Sequence, residues 1–394
     1  MLSDIHAIGR DPRTGGYRRF AWSDADMLLR EWFTGEAAVR GMEVDEDGNG
    51  NQFASWGGAG SEGDRDALLI GSHLDSVPDG GAYDGPLGVV SSFAAVDQLR
   101  AEGFVPSRPV VIANFADEEG ARFGIACAGS QLVTGALDAD EALGLKDRDG
   151  QTLAEVMTGR GRDPRTVGRT DLLDRIGTFV ELHVEQGRSL VHSGAAVGVA
   201  TAIWPHGRWR FDFCGEANHA GATPMEDRHD PMQAYAATVL VARRLATEAG
   251  ARATFGRLEV EPGGTNAIPS RIRAWLDARA ADEGQLERLV DALVAEAQDA
   301  ADADATAVTL TAESVSPAVA FDVPLRDRLA TLLDAPVLPT GAGHDAGVLS
   351  AHVPTAMLFV RNPTGVSHSP EEFAEDADCR AGVIALAAVV RDLS

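Results

Sequence analysis

The stretch Gly71–Gly85, GSHLDSVPDGGAYDG, follows a short apolar run and decides the fold class of this chain. The run before it, 66–70 (DALLI), predicts a buried strand. His73, Asp75 and Asp84 come after this strand, and in open α/β sheets ligands bind at the carboxyl ends of the strands. Histidine and aspartate at that position indicate a metal such as zinc. Taken alone, the stretch is equally compatible with a solvated loop after a core strand.

Composition and charge exclude several classes of protein. The 394 residues are enough for two domains, and 44 % apolar residues can build packed cores. A formal charge of −26 disfavours nucleic acid, because phosphate would be repelled. No apolar run reaches the ~18 residues of a membrane helix, and the N-terminus lacks the pattern of a secretory signal. Three widely spaced cysteines indicate free thiols in a reducing compartment. We therefore expect a cytoplasmic protein that binds neither nucleic acid nor a membrane.

Strand-like and helix-like runs alternate along the first half of the chain. Strands are predicted at 68–70, 109–115 and 178–182, and helices from about 23, at 87–100 and near 130. This βαβ alternation predicts an α/β fold with a mostly parallel central sheet and flanking helices.

The pattern changes after Ile203 and returns at Asp322. Two helices, 230–249 and 285–301, alternate with strands at 208–214, 254–261, 271–279 and 307–313, which predicts a compact α+β unit. A strand at 354–360 and a helix from 379 then continue the α/β pattern. We predict one α/β domain in two parts, 1–204 and 316–394, interrupted by an inserted α+β domain at 205–315.

Four predicted strand ends carry the same kinds of side chain. Because the carboxyl ends of parallel strands meet at one sheet edge, they predict one cluster of histidine and carboxylate groups. The residues are His73, Asp75 and Asp84 after the first strand, Asp117, Glu118 and Glu119 after the second, His183, Glu185 and Gln186 after the third, and His368 after the last.

The residue types suggest a distribution of tasks around two metals. His73 and His183 could bind one metal through neutral imidazoles, and Asp75 could orient an imidazole as an acceptor. Asp84 could bridge two metals through its two oxygens. Glu119 and His368 could complete the second site, since paired metals activate water and polarise a carbonyl. Glu118, the neighbour of Glu119, could then act as general base; for an isolated Glu-Glu pair, an exposed loop is the simpler interpretation.

Several segments together resemble one family, the zinc-dependent amidohydrolases of the aminoacylase/carboxypeptidase superfamily. Within it, the chain looks like the branch of allantoate amidohydrolase and N-carbamoyl-L-amino acid hydrolase. The histidine of ELHVEQG is typical of this branch, because the peptidases of the superfamily usually place a carboxylate there. The segments are GSHLDSVPDGGAYDG, ADEEGARFG, ELHVEQG, NHAGATPM, GGTNAIPSR with LDAR, GAGHDAG and GVSHSPEE.

The resemblance implies a ligand set that agrees with the reading from the residues. It implies that one metal is bound by His73, Asp84 and His183, and the other by Asp84, Glu119 and His368. It makes Glu118 the catalytic base, with Asp75 supporting His73. It also implies a cis peptide after the bridging aspartate, at Asp84–Gly85. Zinc is the first candidate metal, with manganese, cobalt and nickel as alternatives.

The resemblance also implies substrate contacts, most of them in the inserted domain. Arg279 would clamp a substrate carboxylate, although the segment 271–279 alone is equally compatible with a solvated surface arginine. Asn266 would bind the same carboxylate, and Gln186 the ureido group. His219, a catalytic residue reaching in from the other subunit of a dimer, would polarise the scissile carbonyl. The remaining site residues are Gly365, a substrate contact, and His344, which we expect near the site with no assigned role.

These inferences lead to a functional hypothesis with two alternatives. The leading hypothesis is a binuclear metal-dependent amidohydrolase that cleaves the ureido C–N bond of a small anionic carboxylate, allantoate or an N-carbamoyl-L-amino acid. The α/β domain would be catalytic, and the inserted domain would form a homodimer and a lid. An aminoacylase or dipeptidase of the same superfamily is the first alternative. A non-catalytic metal-binding relative is the second.

Overall fold

The computed structural model describes residues 1–57 and 67–394. Its helices α1 to α13 are, in chain order, Leu2–Ile5, Asp24–Val39, Pro86–Ala101, Ala128–Thr134, Ala139–Gly144, Leu153–Gly159, Leu172–Arg175, Ser189–Ser193, Pro231–Glu248, Glu283–Ala303, Val323–Leu333, Asp345–Leu349 and Asp376–Leu393. Its strands β1 to β15 are Glu43–Glu46, Gln52–Trp56, Ala67–His73, Val110–Phe115, Ile176–Val184, Val197–Ile203, His206–Cys214, Asn218–His219, Arg252–Glu261, Ala267–Ile268, Arg271–Arg279, Ala307–Ser316, Val319–Ala320, Val337–Thr340 and Thr355–Val360. Asp66, the start of the first predicted strand, lies outside the described residues.

The chain divides into two compact units. The first consists of Met1–Ala202 and Ala320–Ser394, and the second of Ile203–Val319. The boundaries predicted from the sequence are 205 and 315. No helix in the described part of the chain is long and apolar enough to cross a membrane.

A mixed, mostly parallel sheet forms the centre of the first unit. Its strand order includes β1-β2-β4-β3-β5-β15-β6. The four central strands β4, β3, β5 and β15 run parallel, whereas β2 and β6 pair antiparallel to them. Every residue of β3, β4 and β15 is buried, as expected for parallel strands covered on both faces. The predicted fold class is confirmed, and the four strand ends that carry the predicted ligands meet at one edge.

Helix α3 fixes the far end of the loop that follows β3. It packs on β3 and β5 and against α13, and most of its residues are buried, including both faces of its first turns. A β-carbon at Gly88 would lie 2.2 Å from the carbonyl oxygen of Leu182, so only glycine lets the helix approach β5 this closely. The helix starts with Pro86, for which the missing N–H costs nothing at the first position. The start of α3 is therefore held beside the end of β5.

The second unit is a four-stranded antiparallel sheet with two helices. Its order is β12-β7-β11-β9. Ile272, Ala274, Leu276 and Ala278 of β11 are buried in the core that α9 and α10 complete. The other residues of β11 are half-buried, so the predicted alternation along 271–279 is confirmed. A separate ribbon pairs β8 with β10 and sets His219 opposite Ala267.

The prediction of a cis peptide bond at Asp84–Gly85 is wrong. Among the described residues, the cis peptide bond lies at Glu261–Pro262. The chain instead turns at Gly85, whose φ of +81° is accessible because glycine has no β-carbon. The Gly85 N–H then donates to Nε2 of His183 at 3.2 Å.

Candidate metal centre and active site

Two buried histidines present the same ring nitrogen to one aspartate. His73 ends β3 and His183 lies in β5, and both side chains are completely buried. Nδ1 of His73 lies 3.2 Å from the carbonyl oxygen of Asp75, and Nδ1 of His183 lies 2.9 Å from that of Val184. A carbonyl accepts only from N–H, so these contacts place the proton on Nδ1 and the lone pair on Nε2 of each neutral ring. In His183 this lone pair accepts from the Gly85 N–H, and in His73 it has no hydrogen-bond partner among the described residues.

The carboxylate of Asp84 faces both of these nitrogens with one oxygen. Its Oδ1 lies 3.6 Å from Nε2 of His73 and 3.2 Å from Nε2 of His183. The three residues form a buried group whose ligand atoms all lie within 4.8 Å of one another. This is the first ligand set expected from the sequence.

The other oxygen of Asp84 faces a second group. Its Oδ2 lies 3.6 Å from Nε2 of His368, which in turn lies 3.5 Å from Oε2 of Glu119. Ser367 donates to the same Oδ2 at 3.1 Å, and Gln186 lies 3.4 Å away. The His368 side chain is 53 % exposed, so this second group opens to solvent whereas the first does not. The structure thus brings both expected ligand sets together, with Asp84 between them.

The residues present fit a pair of divalent cations. Nε2 of His73 is buried without a hydrogen-bond partner, which is costly unless a metal takes its lone pair. Burial, with the neighbouring charge of Asp84, raises the pKa of Glu119 to about 8. Burial disfavours the imidazolium of His183, but the Asp84 carboxylate outweighs it and raises the pKa of His183 to about 8. Buried carboxyl and imidazole groups that hold protons at neutral pH form a site where divalent cations would displace those protons.

Glu118 lies against the first group. Its Oε2 lies 3.6 Å from Nε2 of His73, and Sγ of Cys127 lies 3.4 Å from its Oε1. Burial raises the pKa of Glu118 well above its usual range, with the charge of His73 opposing the shift. A carboxylate with this environment beside a metal site is suited to take up and return a proton.

Asp75 contributes more than the sequence suggested. Its Oδ1 lies 3.4 Å from Nδ1 of His73, consistent with the expected support of that imidazole. Its two carboxylate oxygens also accept hydrogen bonds from the backbone N–H groups of Glu118 and Glu119, each at 3.1 Å. One side chain therefore contacts both His73 and the backbone of the segment that carries Glu118 and Glu119.

Glu372 holds the backbone at Asp84, and no role was assigned to it from the sequence. Its Oε1 accepts from the N–H groups of Tyr83 at 2.8 Å and Asp84 at 2.9 Å. Ser367 donates to its Oε2 at 3.3 Å. Burial, with the charge of Asp84, raises the pKa of Glu372 to about 7. Glu372 stands in the segment GVSHSPEE, but nothing in that segment identifies its partner 288 residues away.

A further buried group lies behind His183. The ring of His344 is 4.5 Å from that of His183, and its Nε2 has no hydrogen-bond partner. Glu181, His183 and His344 also place ligand atoms within 4.8 Å of one another. Glu181, however, accepts from the hydroxyl of Ser72 at 2.7 Å and from the N–H of Ala346 at 3.0 Å. The position of His344 beside His183 agrees with the expectation that His344 lies near the site.

Three predicted substrate contacts lie in the second unit. Nδ1 of His219 accepts from the N–H groups of Gly221 and Ala222, each at 3.1 Å. The neutral ring therefore carries its proton on Nε2, as a group that polarises a carbonyl must. The carbonyl of Asn266 accepts from the N–H of Ala220, next to His219. Arg279 pairs with Asp277, with Nε to Oδ1 at 2.8 Å and Nη2 to Oδ2 at 3.0 Å.

Gly365 lies in the loop after β15. Its N–H donates to Oδ1 of Asn362 at 2.9 Å, and its φ of +70° fits glycine. A β-carbon at this position would lie 2.4 Å from the side chain of Arg188. The loop thus runs close to the segment that follows His183.

Comparison with known proteins identifies the family. A sequence model described as peptidase family M20/M25/M40 matches residues 69–392. The chain belongs to this family. It is 36 % identical over 391 residues to the N-carbamoyl-L-amino acid amidohydrolase of Geobacillus stearothermophilus, covering 97 % of this chain and 94 % of that protein. It is 30 % identical over 399 residues to the allantoate amidohydrolase of Escherichia coli K12, covering 99 % and 96 %.

A solved structure agrees with these sequence relatives. The crystal structure of a hydantoinase/carbamoylase family amidase from Burkholderia ambifaria superposes with a TM-score of 0.86 and 32 % identity, covering 100 % of this chain and 95 % of that one. The resemblance inferred from the motifs is confirmed, and the chain is an amidohydrolase of a metal-dependent family. The two groups around Asp84 could hold metal, as could the group of Glu181, His183 and His344.

Proposed function

We propose that this protein hydrolyses the ureido C–N bond of a small carboxylate, allantoate or an N-carbamoyl-L-amino acid, and releases ammonia and carbon dioxide. The observation that carries the proposal is the placement of Asp84. Its two oxygens face two separate sets of histidine and carboxylate ligands. Full-length similarity to amidohydrolases named for these two substrates supports the choice of a ureido bond.

The proposed metal centre uses the two sets around Asp84. His73, Asp84 and His183 would hold one divalent ion, and Asp84, Glu119 and His368 the other. Zinc is the first candidate, with manganese, cobalt or nickel as alternatives, because nitrogen and oxygen ligands accept all four. When bound, such ions supply Lewis-acid chemistry that polarises a carbonyl and makes water more acidic.

Glu118 would carry the proton in the reaction. Water adds to the ureido carbonyl carbon while Oε2 of Glu118 takes a proton from it. The C–N bond then breaks, and Glu118 returns that proton to the leaving nitrogen. The remaining carbamic acid separates into an amine or ammonia and carbon dioxide, so the atoms balance whichever ureido nitrogen leaves first.

The substrate would be held by its carboxylate and its ureido group. Arg279 already holds the Asp277 carboxylate through two parallel hydrogen bonds, which is the geometry a substrate carboxylate needs. Asn266 would add a hydrogen bond to it, Gln186 would contact the ureido group, and Gly365 would line the site. The Nε2–H of His219 would donate to the carbonyl. We further propose a cytoplasmic homodimer that forms through the inserted domain and supplies His219 from its second subunit.

The test is ammonia release from metal-reconstituted protein. Allantoate and several N-carbamoyl-L-amino acids are assayed side by side with N-acetyl amino acids and dipeptides. The proposal expects ammonia from at least one ureido acid and no amine release from the acyl and peptide substrates at a comparable rate. Glu118→Gln, which keeps size and loses the base, should lower kcat by about 10²–10⁴-fold. Glu371→Gln, an exposed glutamate of the last loop, is the matched control and should keep wild-type turnover.

Two outcomes would contradict the proposal. Preferential amine release from N-acetyl amino acids or dipeptides would favour the aminoacylase or dipeptidase alternative. Near-wild-type turnover by the metal-loaded Glu118→Gln variant would remove Glu118 from the mechanism.

A further inference from the structure

A buried arginine outside the metal centre has no anionic partner. Arg19 is 1 % exposed, and among the described residues no carboxylate forms an ion pair with it. Its Nε donates to the carbonyl of Ile8 at 3.0 Å and its Nη2 to that of Ile5 at 2.7 Å, while Nη1 has no hydrogen-bond partner. Burial lowers the pKa of Arg19 to about 10, which is still cationic at neutral pH. Arg19 stacks on the ring of Tyr17, with Cζ 4.0 Å from the ring centroid, but within the described part of the chain three of its five N–H donors are unused. A desolvated guanidinium without a counter-charge is costly unless an anion lies nearby.

Arg19 lines a cavity of about 360 Å³ within the first unit. One side of the cavity is apolar, with Leu2 and Ile5 from α1 and Ala82 from the loop before Asp84. The charged residues of the lining are two arginines, Arg19 and Arg380, and one aspartate, Asp376, so the lining carries one excess positive charge. His6, Tyr17, Tyr83, Ser3 and Cys379 complete the wall.

The charged and apolar residues that line the cavity favour one chemical class of ligand. A single excess positive charge matches a monoanion better than a doubly charged phosphate, since each uncompensated buried charge is penalised. Paired N–H donors of a guanidinium match the two oxygens of a carboxylate. The apolar wall favours an organic group attached to it, because apolar surface gains free energy when it leaves water.

The cavity lies directly beneath the loop that carries the metal ligands. The Arg19 N–H donates to Oγ of Ser76 at 3.1 Å, and the Ser76 N–H donates to the Arg19 carbonyl at 3.2 Å. Ser76 follows Asp75, and Tyr83, part of the cavity wall, precedes Asp84. An occupant would therefore contact the α3 end of the loop between β3 and α3 directly, whereas the β3 end is linked to the cavity through the backbone of Arg19.

We propose that this cavity binds a small organic monocarboxylate, with its oxygens accepting from Arg380, its charge balancing the buried charge of Arg19, and its apolar group packed on Leu2, Ile5 and Ala82. The site is separate from the metal centre, and it does not depend on the function proposed above. Binding stabilises the folded first unit, because the ligand recognises an arrangement that the unfolded chain lacks.

The test is thermal unfolding of the full-length, metal-loaded protein titrated with sodium butyrate, against sodium chloride at equal ionic strength. The wild type should show a Tm that rises with the logarithm of butyrate concentration beyond the chloride baseline. Arg380→Gln should shift the titration to about tenfold higher butyrate, the effect of one lost charged hydrogen bond. Arg19→Met should abolish the response.

Two control variants test whether the rise of Tm with butyrate comes from binding in this cavity. Arg391→Gln removes an exposed arginine from the same helix as Arg380, outside the cavity, and should respond like the wild type. Arg279→Gln removes the proposed substrate clamp and should also respond like the wild type. If Arg19→Met fails to fold because it loses its contacts to α1, the comparison of Arg380→Gln with Arg391→Gln decides the outcome.

Three results would overturn the proposal. They are a wild-type Tm that follows the chloride baseline, an equal butyrate response in Arg380→Gln and Arg391→Gln, and a response that persists in Arg380→Gln but is lost in Arg279→Gln. The last result would place the carboxylate at the substrate site.

Discussion

Substituting Gly85 by alanine tests whether the turn after Asp84 sets the position of His73, a proposed metal ligand. A β-carbon at Gly85 would lie 2.3 Å from Cε1, 2.4 Å from Nδ1 and 2.6 Å from Nε2 of His73. Ordinary van der Waals contact starts at 3.4 Å, so the imidazole would have to withdraw by about 1 Å. Metal–ligand distances tolerate only ~0.2 Å.

The expected effect has two separable parts. The φ of +81° is strained for alanine and should cost about 1–3 kcal/mol of unfolding free energy. Displacement of His73 should weaken metal binding by about 10–100-fold, the range seen when the support of a metal ligand is lost. Differential scanning calorimetry of the metal-free protein measures the first part, and competition with a chelating dye measures the second.

Gly103→Ala is the matched control. Gly103 has a φ of +74° and nothing within 4 Å of a built β-carbon, so alanine there is strained without touching a ligand. It should lose stability and keep wild-type metal affinity. If the Gly85→Ala variant binds metal as tightly as Gly103→Ala, the turn does not position His73 and the reasoning is refuted.

Three further predictions concern Asp75 and His183 of the first unit and His219 of the second. Asp75→Asn replaces one acceptor facing the N–H groups of Glu118 and Glu119 by a donor, and should lower the unfolding free energy by about 1–3 kcal/mol in chemical denaturation. For His219, long-range ¹H–¹⁵N correlation spectra should show the Nε2–H tautomer, and His219→Ala should lower kcat on the ureido substrate by about 10²–10³-fold. Metal binding needs a neutral His183, whose pKa in the metal-free protein is about 8. Affinity should therefore fall as pH drops below about 8, by about tenfold per unit for each proton displaced, and calorimetry in buffers of different ionisation enthalpy should detect the released protons.

Each of these has a control and a contradictory result. Asp79→Asn changes a partly exposed aspartate of the same loop that pairs with Arg18, and should change stability little because solvent screens this pair. An equal loss in both variants would deny Asp75 its special role. His229→Ala, a surface histidine of the second unit, should keep turnover, and an Nδ1–H tautomer at His219 would contradict its proposed donor role. Metal affinity that stays constant between pH 6 and pH 8 would show that no imidazole proton is displaced.

The sequence predicts the central sheet because its parallel strands are continuous apolar runs. Strands covered on both faces need apolar residues throughout, and β4 and β15 show this pattern plainly. The sequence does not predict strands β1 and β2. Strand β1 is the charged sequence EVDE and lies at the sheet edge, where burial does not select apolar residues. Propensity alone does not identify such a strand.

The proximity of the proposed ligands could be predicted because each of them follows the end of a predicted strand. The side chains that hold these residues in place could not be predicted from the sequence. Glu372 acts on Asp84 through backbone N–H groups, which every residue has, and the contact joins positions far apart in the chain. The carboxylate of Asp75 reaches Glu118 and Glu119 in the same way. Contacts of this kind leave no residue pattern, since they depend on how β3 and β4 align in the sheet.

Anomalous diffraction from crystals of the zinc-reconstituted protein tests the central claim most directly. The account predicts two peaks per chain about 3.5–4 Å apart, with Asp84 between them. One peak should lie at about 2.0–2.2 Å from Nε2 of both His73 and His183, and the other at that distance from Nε2 of His368. A single peak, or a peak among Glu181, His183 and His344, would contradict the two-metal centre bridged by Asp84.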